Sequence, residues 1–224
     1  MSFFAGFDAS GFPGLNTMAW LRANTNLVWC GFYLGSAPSH PDPGWMPHRQ
    51  SLEDQGWGLA PIYVGQQIIG PGGHLETANQ GTLDGLDAAR LMEEAGFPRG
   101  CGVWLDLENG LPLTSPESGY VKAWAASVLA WGYNPKVYCS HYMAPAVAAL
   151  DAVDPDDIWV FKVVTTVAHD AQEPYPATDP AGSGWPQAQM WQLEQNARIG
   201  AGAMRLLVDL SSATSANPCA AVSA

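Results

Sequence analysis

GVWLDLEN, residues 102–109, is an apolar, strand-like run that ends in two acids. Successive side chains of a β-strand point to opposite faces, so Trp104, Asp106 and Glu108 share one side. The other side is entirely apolar, as expected for a strand that packs against helices. The acidic side must then face an interior that opens at the end of the strand. This pattern predicts a barrel strand with two carboxylates at its mouth.

Other short apolar runs follow the same pattern along the 224-residue chain, and helix-forming segments separate most of them. Strands separated by helices pair in parallel through crossovers. The eight predicted strands span residues 3–8, 27–34, 59–64, 102–107, 136–139, 158–163, 189–193 and 205–210. They predict a compact α/β fold of the (β/α)8 TIM-barrel type. An open, doubly wound sheet is the alternative, although no G-x-G-x-x-G follows the first strand.

Two helices have recognisable ends in the sequence. The first is expected to start at Thr82 as its N-cap and to end at Gly96. The second is expected to start at Ser115, a cap followed by proline, and to stop near Gly132.

Residues 165–188 are rich in Pro, Gly and Asp, which predicts a loop where a crossover helix belongs. We therefore expect at least one degenerate crossover in the barrel. The chain shows no linker or internal repeat, so residues 1–211 are predicted to form a single domain. Residues 212–224 are predicted to be a flexible C-terminal tail.

The composition excludes several classes of partner. Nine Lys and Arg stand against 21 Asp and Glu, which gives a net charge of −12. That charge argues against nucleic acid, which needs a basic face, and against an anionic membrane surface. No apolar run approaches the length of a membrane span, and no signal peptide is visible. Few charges and ten Trp favour an uncharged, hydroxyl-rich partner such as a glycan.

The cysteines and histidines form no recognisable metal motif. The four Cys contain no C-x-x-C pair, and the five His form neither H-x-H nor H-E-x-x-H. We therefore predict no metal site and no cofactor. Buried free thiols are the expected state of the cysteines, and a disulfide stays open because spacing does not define pairing.

Acids also end the first and last predicted strands, at Asp8 and Asp209. In barrels of this type, the carboxyl ends of the strands surround the active site. Asp106 and Glu108 have Cα atoms about 6.6 Å apart on a strand, and crowded carboxyls retain a proton towards neutral pH. Such a pair supplies the protonated general acid and the ionised carboxylate that glycoside hydrolysis requires. Both stereochemical outcomes, retention and inversion, stay open. For any single Asp, a helix cap or a solvated strand end is the alternative.

Several short motifs resemble those of glycoside hydrolase family 25 lysozymes, which are (β/α) barrels that cleave peptidoglycan. These motifs are GFDAS at 6–10, LDLEN at 105–109, Trp191-Gln192 and VDL at 208–210. Two longer runs resemble a related family of glycoside-hydrolase-like domains, known as domain of unknown function 1906. These runs are GWGLAPIYVGQQ at 56–67 and GFPRGCGVWLDLE at 96–108. The resemblance covers residues 3–211.

The resemblance implies a role for each acid. Glu108 matches the proton donor, and Asp106 matches the acid that orients or stabilises the substrate's N-acetyl group, with base and nucleophile roles also open. Asp8 and Asp209 match further acids of the same pocket. The ends of the second and third predicted strands differ from the lysozymes, which leaves the glycan itself open.

Aromatic and amide side chains near strand ends are further candidates for substrate contact. By strand position they are Tyr63, Trp104, Tyr138 and Trp191, and the resemblance implies Gln192 as well. For the two tyrosines, a core role is equally open.

The sequence therefore predicts a lysozyme-like glycoside hydrolase that cleaves bacterial cell-wall peptidoglycan by carboxylate acid–base catalysis. A non-catalytic glycan-binding barrel and a glycosidase for a different polysaccharide are the alternatives. We expect a monomer that does not insert into membranes. It would reach the cell wall after secretion or release from a phage.

Overall fold

The computed structural model describes residues 2–68, 72–110, 112–165 and 167–220. The strands are β1 (Phe4–Asp8), β2 (Leu27–Tyr33), β3 (Gly58–Tyr63), β4 (Gly102–Leu107), β5 (Asn134–Ser140), β6 (Ile158–Phe161), β7 (His169–Asp170), β8 (Met190–Ile199) and β9 (Leu206–Ala213). The α-helices are α1 (Leu15–Asn24), α2 (Arg49–Asp54), α3 (Ala78–Glu94), α4 (Ser115–Ala130) and α5 (Ala144–Ala148). No helix within the described ranges is long and apolar enough to cross a bilayer.

Eight strands close into a barrel, which confirms the predicted fold class. The strands β1 to β6 pair in sequence order, β6 pairs with β8, and β9 pairs with both β8 and β1. The two-residue strand β7 lies outside this ring, on β8.

The expectation that all barrel strands are parallel is wrong for the last one. The strand β9 is antiparallel to both of its neighbours, whereas the other barrel pairings are parallel. Only residues 200–205 join β8 to β9. So short a connection can form a hairpin but not the crossover that a parallel neighbour needs.

The expected degenerate crossover is present. Between β6 and β8, the described residues contain β7 and a 3₁₀ helix at Pro180–Ser183 but no α-helix. The helix α5, between β5 and β6, has only five residues.

Both predicted helix starts need correction. Thr77 rather than Thr82 caps α3, and Thr114 rather than Ser115 caps α4. The Thr114 hydroxyl accepts the Glu117 N–H, and the Glu117 carboxylate accepts the Thr114 N–H at 2.7 Å. Neighbouring Ser and Thr residues are similar caps by type, so the direction of the incoming backbone selects between them.

The expected flexible tail is wrong for residues 212–220. The strand β9 continues to Ala213. Further on, the Cys219 N–H donates to the Leu59 carbonyl at 3.1 Å, and the Cys219 carbonyl accepts the Gly102 N–H at 2.8 Å. Such backbone bonds do not depend on side chains, so a low-complexity sequence gives no sign of them. Residues 221–224 lie outside the described residues.

Aromatic rings fill most of the barrel interior below the acids. The Trp29 and Trp104 rings meet the Trp159 ring edge to face, with centroids 5.6 and 6.3 Å apart. Lys136, which is 1% exposed, lies 5.0 Å from the Trp104 ring and pairs with Asp157 at 2.6 Å. Trp104 is fully buried in this layer, below the acids, so the expectation that it contacts substrate is not supported.

Candidate active site

The four predicted acids meet in one pocket at the carboxyl end of the barrel. Asp8 ends β1, Asp209 lies opposite it on β9, and Asp106 and Glu108 belong to the end of β4. The pocket has a volume of about 50 Å³. Its remaining lining residues are Tyr33, Ile62, Tyr138 and Trp159.

Burial raises the pKa of each acid, and the charges of neighbouring acids raise it further for Asp8, Asp106 and Glu108. For Asp106, burial comes first, followed by the negative charges of Glu108 and Asp8. For Asp8, burial again comes first, followed by the charge of Asp209. Glu108 keeps the most contact with solvent of the four. Protein atoms packed around its carboxyl still raise its pKa, and the charge of Asp209 adds to this effect.

No cation offsets these charges in the part of the chain that the structure describes. The ion pairs found there involve other carboxylates. Likewise, Asp8 Oδ2 and Asp106 Oδ1 have no hydrogen-bond partner among the described residues. Unpaired carboxyls in a pocket of low dielectric hold protons to higher pH, which is the property that a general acid needs.

A chain of hydrogen bonds orients Asp209. The Tyr138 hydroxyl donates to Gln192 Oε1 at 2.6 Å, and Gln192 Nε2 donates to Asp209 Oδ2 at 3.0 Å. The Asn196 N–H donates to Asp209 Oδ1 at 2.8 Å. Tyr138, which lines the pocket, therefore fixes which end of the Gln192 amide points at Asp209.

Sequence reasoning missed Tyr33, whose hydroxyl donates to Asp8 Oδ1 at 2.9 Å. The signal was present, because Tyr33 ends β2 and shares the interior face of that strand with Trp29 and Gly31. Gly31 leaves room for Asp8, since a Cβ at Gly31 would lie 2.6 Å from the Asp8 Cβ. Asn196 had no comparable signal, because its N–H reaches the site through an irregularity of β8 and a backbone φ of 57°.

The loop after β3 holds the backbone on both sides of Glu108. Gln67 Nε2 donates to the Asp106 carbonyl at 2.8 Å. The Ile68 N–H donates to Asn109 Oδ1 at 2.9 Å, and Asn109 Nδ2 donates to the Glu76 carboxylate. These bonds fix the end of β4 and thus the position from which Glu108 projects.

A larger cleft of about 410 Å³ adjoins the pocket and shares Asp8, Tyr33 and Asp209 with it. Its other lining residues are Ala9, Ser10, Gly11, Asn196, Leu207 and Val208. The site therefore has a small acidic recess that opens into a wider cleft.

Besides Trp104, the predicted contact residues Tyr63 and Trp191 also lie outside the pocket. The Tyr63 hydroxyl donates to Asp87 Oδ2 of α3 at 3.2 Å, on the helix side of the sheet. Trp191 Nε1 donates to the Lys162 carbonyl at 3.2 Å. Because Gln192 points into the barrel towards Asp209, its neighbour Trp191 must point outward. Trp191 and Gln192 therefore lie on opposite faces of β8.

The donor set gives no support for a metal centre. Among the described residues, no three His, Cys, Asp or Glu side chains are arranged to hold a metal ion.

Residues 19–212 match the family described as Rv2525c-like, glycoside hydrolase-like domain. The chain belongs to this family. The match includes Asp106, Glu108 and Asp209 and begins after Asp8. It confirms the family predicted from the sequence motifs. No curated protein shows significant sequence similarity to the chain.

Solved structures of related barrels cover nearly the whole chain. The Mycobacterium tuberculosis Tat-secreted protein Rv2525c, in complex with L-tartrate, has a TM-score of 0.64 and 13% identity and covers 96% of both chains. The catalytic domain of endolysin ply40, from bacteriophage P40 of Listeria monocytogenes, has a TM-score of 0.61 and 13% identity, over 96% of this chain and 95% of that one.

A family 25 glycosyl hydrolase from Bacillus anthracis has a TM-score of 0.55 and 12% identity, over 95% of this chain and 89% of that one. Identities this low establish the fold alone. The protein therefore has a glycoside-hydrolase-like barrel, related in fold to family 25 cell-wall lytic enzymes.

Proposed function

We propose that the protein is a glycoside hydrolase that cleaves O-glycosyl bonds in a peptidoglycan-type glycan. The observation that carries the proposal is the convergence of four carboxyls from three strands in one pocket. No ion pair neutralises them among the described residues. Glycoside hydrolysis needs a protonated and an ionised carboxyl side by side, and this pocket supports both states.

Glu108 is the proton donor in this proposal. It is the most exposed of the four acids, so a glycosidic oxygen bound at the mouth of the pocket can reach it. Its raised pKa keeps a proton available as pH rises towards neutrality. The proton passes to the leaving oxygen as the glycosidic bond breaks.

Asp106 stabilises the positive charge that develops on the sugar ring, or orients the acetamido group of the substrate. Its Oδ1 atom has no hydrogen-bond partner among the described residues, which leaves it available to a bound group. The recess of about 50 Å³ exceeds the roughly 10–15 Å³ that a cavity needs to hold one water molecule. It therefore suits a water molecule or a small substituent, and the sugar rings lie in the wider cleft.

Asp8 and Asp209 tune the catalytic pair and bind sugar hydroxyls. The charge of Asp209 raises the pKa of Glu108, and the charge of Asp8 raises that of Asp106. Tyr138 and Gln192 hold Asp209 in place, and Tyr138 lines the pocket.

We further propose that the protein acts on the bacterial cell wall as a single-domain monomer. Support comes from the related barrels, since one is described as Tat-secreted and another as a phage endolysin. In this proposal, the protein reaches the cell wall either by export from the cell or by release from a phage.

The test is incubation with purified, insoluble peptidoglycan and measurement of new reducing ends. We expect release by the unaltered protein and a loss of about 10²-fold or more in Glu108→Gln, as for other general acids. The matched control is Glu94→Gln, which removes an exposed carboxylate paired with Arg90 on α3. This control should keep full activity.

Three outcomes would point elsewhere. Full activity in Glu108→Gln would contradict the assignment of the proton donor. Co-sedimentation with peptidoglycan that survives Glu108→Gln, without any reducing ends, would favour a glycan-binding barrel. Cleavage of another polysaccharide, with peptidoglycan left intact, would replace the proposed substrate.

A further inference from the structure

Two buried thiols face each other at the amino end of the barrel, opposite the acidic pocket. Cys101 Sγ, just before β4, lies 3.8 Å from Cys219 Sγ in the C-terminal segment. The two residues are 6% and 3% exposed and 118 positions apart. The remaining thiols, Cys30 and Cys139, are buried within β2 and β5.

The backbone holds Cys219 in this position. Its N–H donates to the Leu59 carbonyl at 3.1 Å, and Asn217 Oδ1 accepts the Leu59 N–H at 3.0 Å. A Cβ at Gly58 would lie 1.9 Å from the Ala216 carbonyl oxygen, so the segment is seated directly on β3. The hydrogen bonds to Leu59 and the close packing on Gly58 therefore both hold Cys219 next to Cys101.

The surroundings make the two thiols unequal. The hydrogen bond from Cys219 lowers the pKa of Cys101, and the positive charges of Arg49 and Lys136 act in the same direction. The pKa of Cys219 is raised by the same hydrogen bond and by burial. Cys101 thus ionises first and is the stronger candidate for the attacking thiolate.

We propose that Cys101 and Cys219 form an intramolecular disulfide when the protein meets a small disulfide oxidant such as oxidised glutathione. The sulfur atoms need to approach from 3.8 Å to about 2.0 Å. Both thiols are buried, so the oxidant reaches them when the short C-terminal segment opens locally.

The exchange balances in two steps. The Cys101 thiolate attacks one sulfur of oxidised glutathione, the glutathione S–S bond breaks, and one glutathione thiolate leaves with the proton given up by Cys101. The Cys219 sulfur then attacks the Cys101 sulfur of the mixed disulfide, and the second glutathione leaves with the Cys219 proton. Two protein thiols are oxidised by two electrons, and one glutathione disulfide is reduced to two thiols.

The resulting bond would tie the C-terminal segment to the start of β4. Cross-links that close long loops restrict the unfolded chain, so the oxidised protein should unfold at a higher temperature. The pair lies at the end of the barrel opposite Glu108, and its oxidation should leave any hydrolytic activity unchanged.

The experiment uses the full chain, exposed either to oxidised glutathione or to dithiothreitol. After denaturation, free thiols are alkylated with iodoacetamide, and the digested peptides are mapped by mass spectrometry. We expect a peptide pair linked through Cys101 and Cys219, with Cys30 and Cys139 alkylated. The unfolding temperature should rise by about 5 °C or more and return on reduction.

Matched variants separate this bond from the other thiols. Cys219→Ser should abolish both the linked peptide and the temperature rise, whereas Cys139→Ala should keep both. Alkylation of both Cys101 and Cys219 after oxidation, or a link to Cys30 or Cys139, would overturn the proposal. The peptide map uses the unaltered chain, so its result does not depend on the folding of a variant or on catalysis.

Discussion

Asp8 lies directly opposite Asp209 in the antiparallel pair of β1 and β9 that closes the barrel. Like charges that face each other across a strand pair destabilise a sheet. The fold limits this cost by hydrogen bonds, since Tyr33 donates to Asp8 and Gln192 donates to Asp209. Carboxyls with shifted pKa values that cluster in a pocket are typical of functional sites, where the charges needed for catalysis reduce the stability of the fold.

The first prediction concerns the alkaline limb of the pH–activity profile. Hydrolysis should decline at high pH as Glu108 loses its proton. The charge of Asp209 raises the pKa of Glu108, so Asp209→Asn should lower that pKa and move the limb to lower pH. Reducing-end release measured across pH checks this shift, with Asp54→Asn on the exposed face of α2 as the control. An unmoved limb, or one at higher pH, would contradict the proposed coupling.

The second prediction concerns stability. The pKa of Asp106 is raised in the folded protein, so the folded state binds this proton more tightly than the unfolded state does. The protonated Asp106 carboxyl adds to the free energy of unfolding below about pH 3.9, which is the pKa of Asp in the unfolded chain. This contribution is lost as pH rises through the pKa of Asp106 in the folded protein. Asp106→Asn removes this loss, so the free energy of unfolding at pH 7 should rise by about 1–3 kcal/mol.

Urea denaturation of the Asp106→Asn variant at neutral and acidic pH measures the effect. The gain should be largest at neutral pH and should shrink as the native carboxyl becomes protonated. A variant less stable than the unaltered protein at neutral pH would show that Asp106 has a favourable partner as a carboxylate.

The third prediction concerns the hydrogen bond from Tyr138 to Gln192. Tyr138→Phe keeps the ring but removes the donor that fixes the Gln192 amide. The value of kcat/KM should fall about fivefold, which corresponds to a hydrogen bond of about 1 kcal/mol. Tyr142→Phe is the control, because Tyr142 is 70% exposed. Equal effects in the two variants would rule out this positioning role.

The fourth prediction concerns the space beneath Asp8. In Gly31→Ala the new Cβ would lie 2.6 Å from the Asp8 Cβ, so Asp8 must move. We expect a folded protein, destabilised by about 1–3 kcal/mol, with activity reduced about tenfold or more. Gly119→Ala on α4 introduces a methyl with an ordinary 3.5 Å contact, so it should keep full activity and should not destabilise the protein. Unchanged activity in Gly31→Ala would show that the position of Asp8 is not critical.

The acids of the site could be predicted because they depend on local rules. The run 102–107 forms a strand with the predicted bounds, and the two-residue spacing places Asp106 and Glu108 on its interior side. The positions of Asp8 and Asp209 follow from the convergence of strand ends in any closed barrel. The same alternation, applied throughout, identifies Tyr33 and places Trp191 on the outer face of β8.

Other features depend on contacts between distant parts of the chain. The direction of β9 is set by the short connection after β8, and Asn196 reaches Asp209 through an irregular strand. The packing of Cys219 depends on backbone hydrogen bonds to strands far away in sequence. No periodicity or residue type encodes such contacts, so the sequence alone predicts a flexible segment at residues 212–220.

The most direct test of Glu108 as proton donor compares two leaving groups in the Glu108→Gln variant. An aryl glycoside with a phenolate leaving group of low pKa needs no proton donor, whereas the sugar hydroxyl released from peptidoglycan does. We predict that Glu108→Gln loses about 10²-fold or more on peptidoglycan but stays within about tenfold of the unaltered protein on the aryl glycoside. An equally large loss on both substrates would contradict the proton-donor assignment.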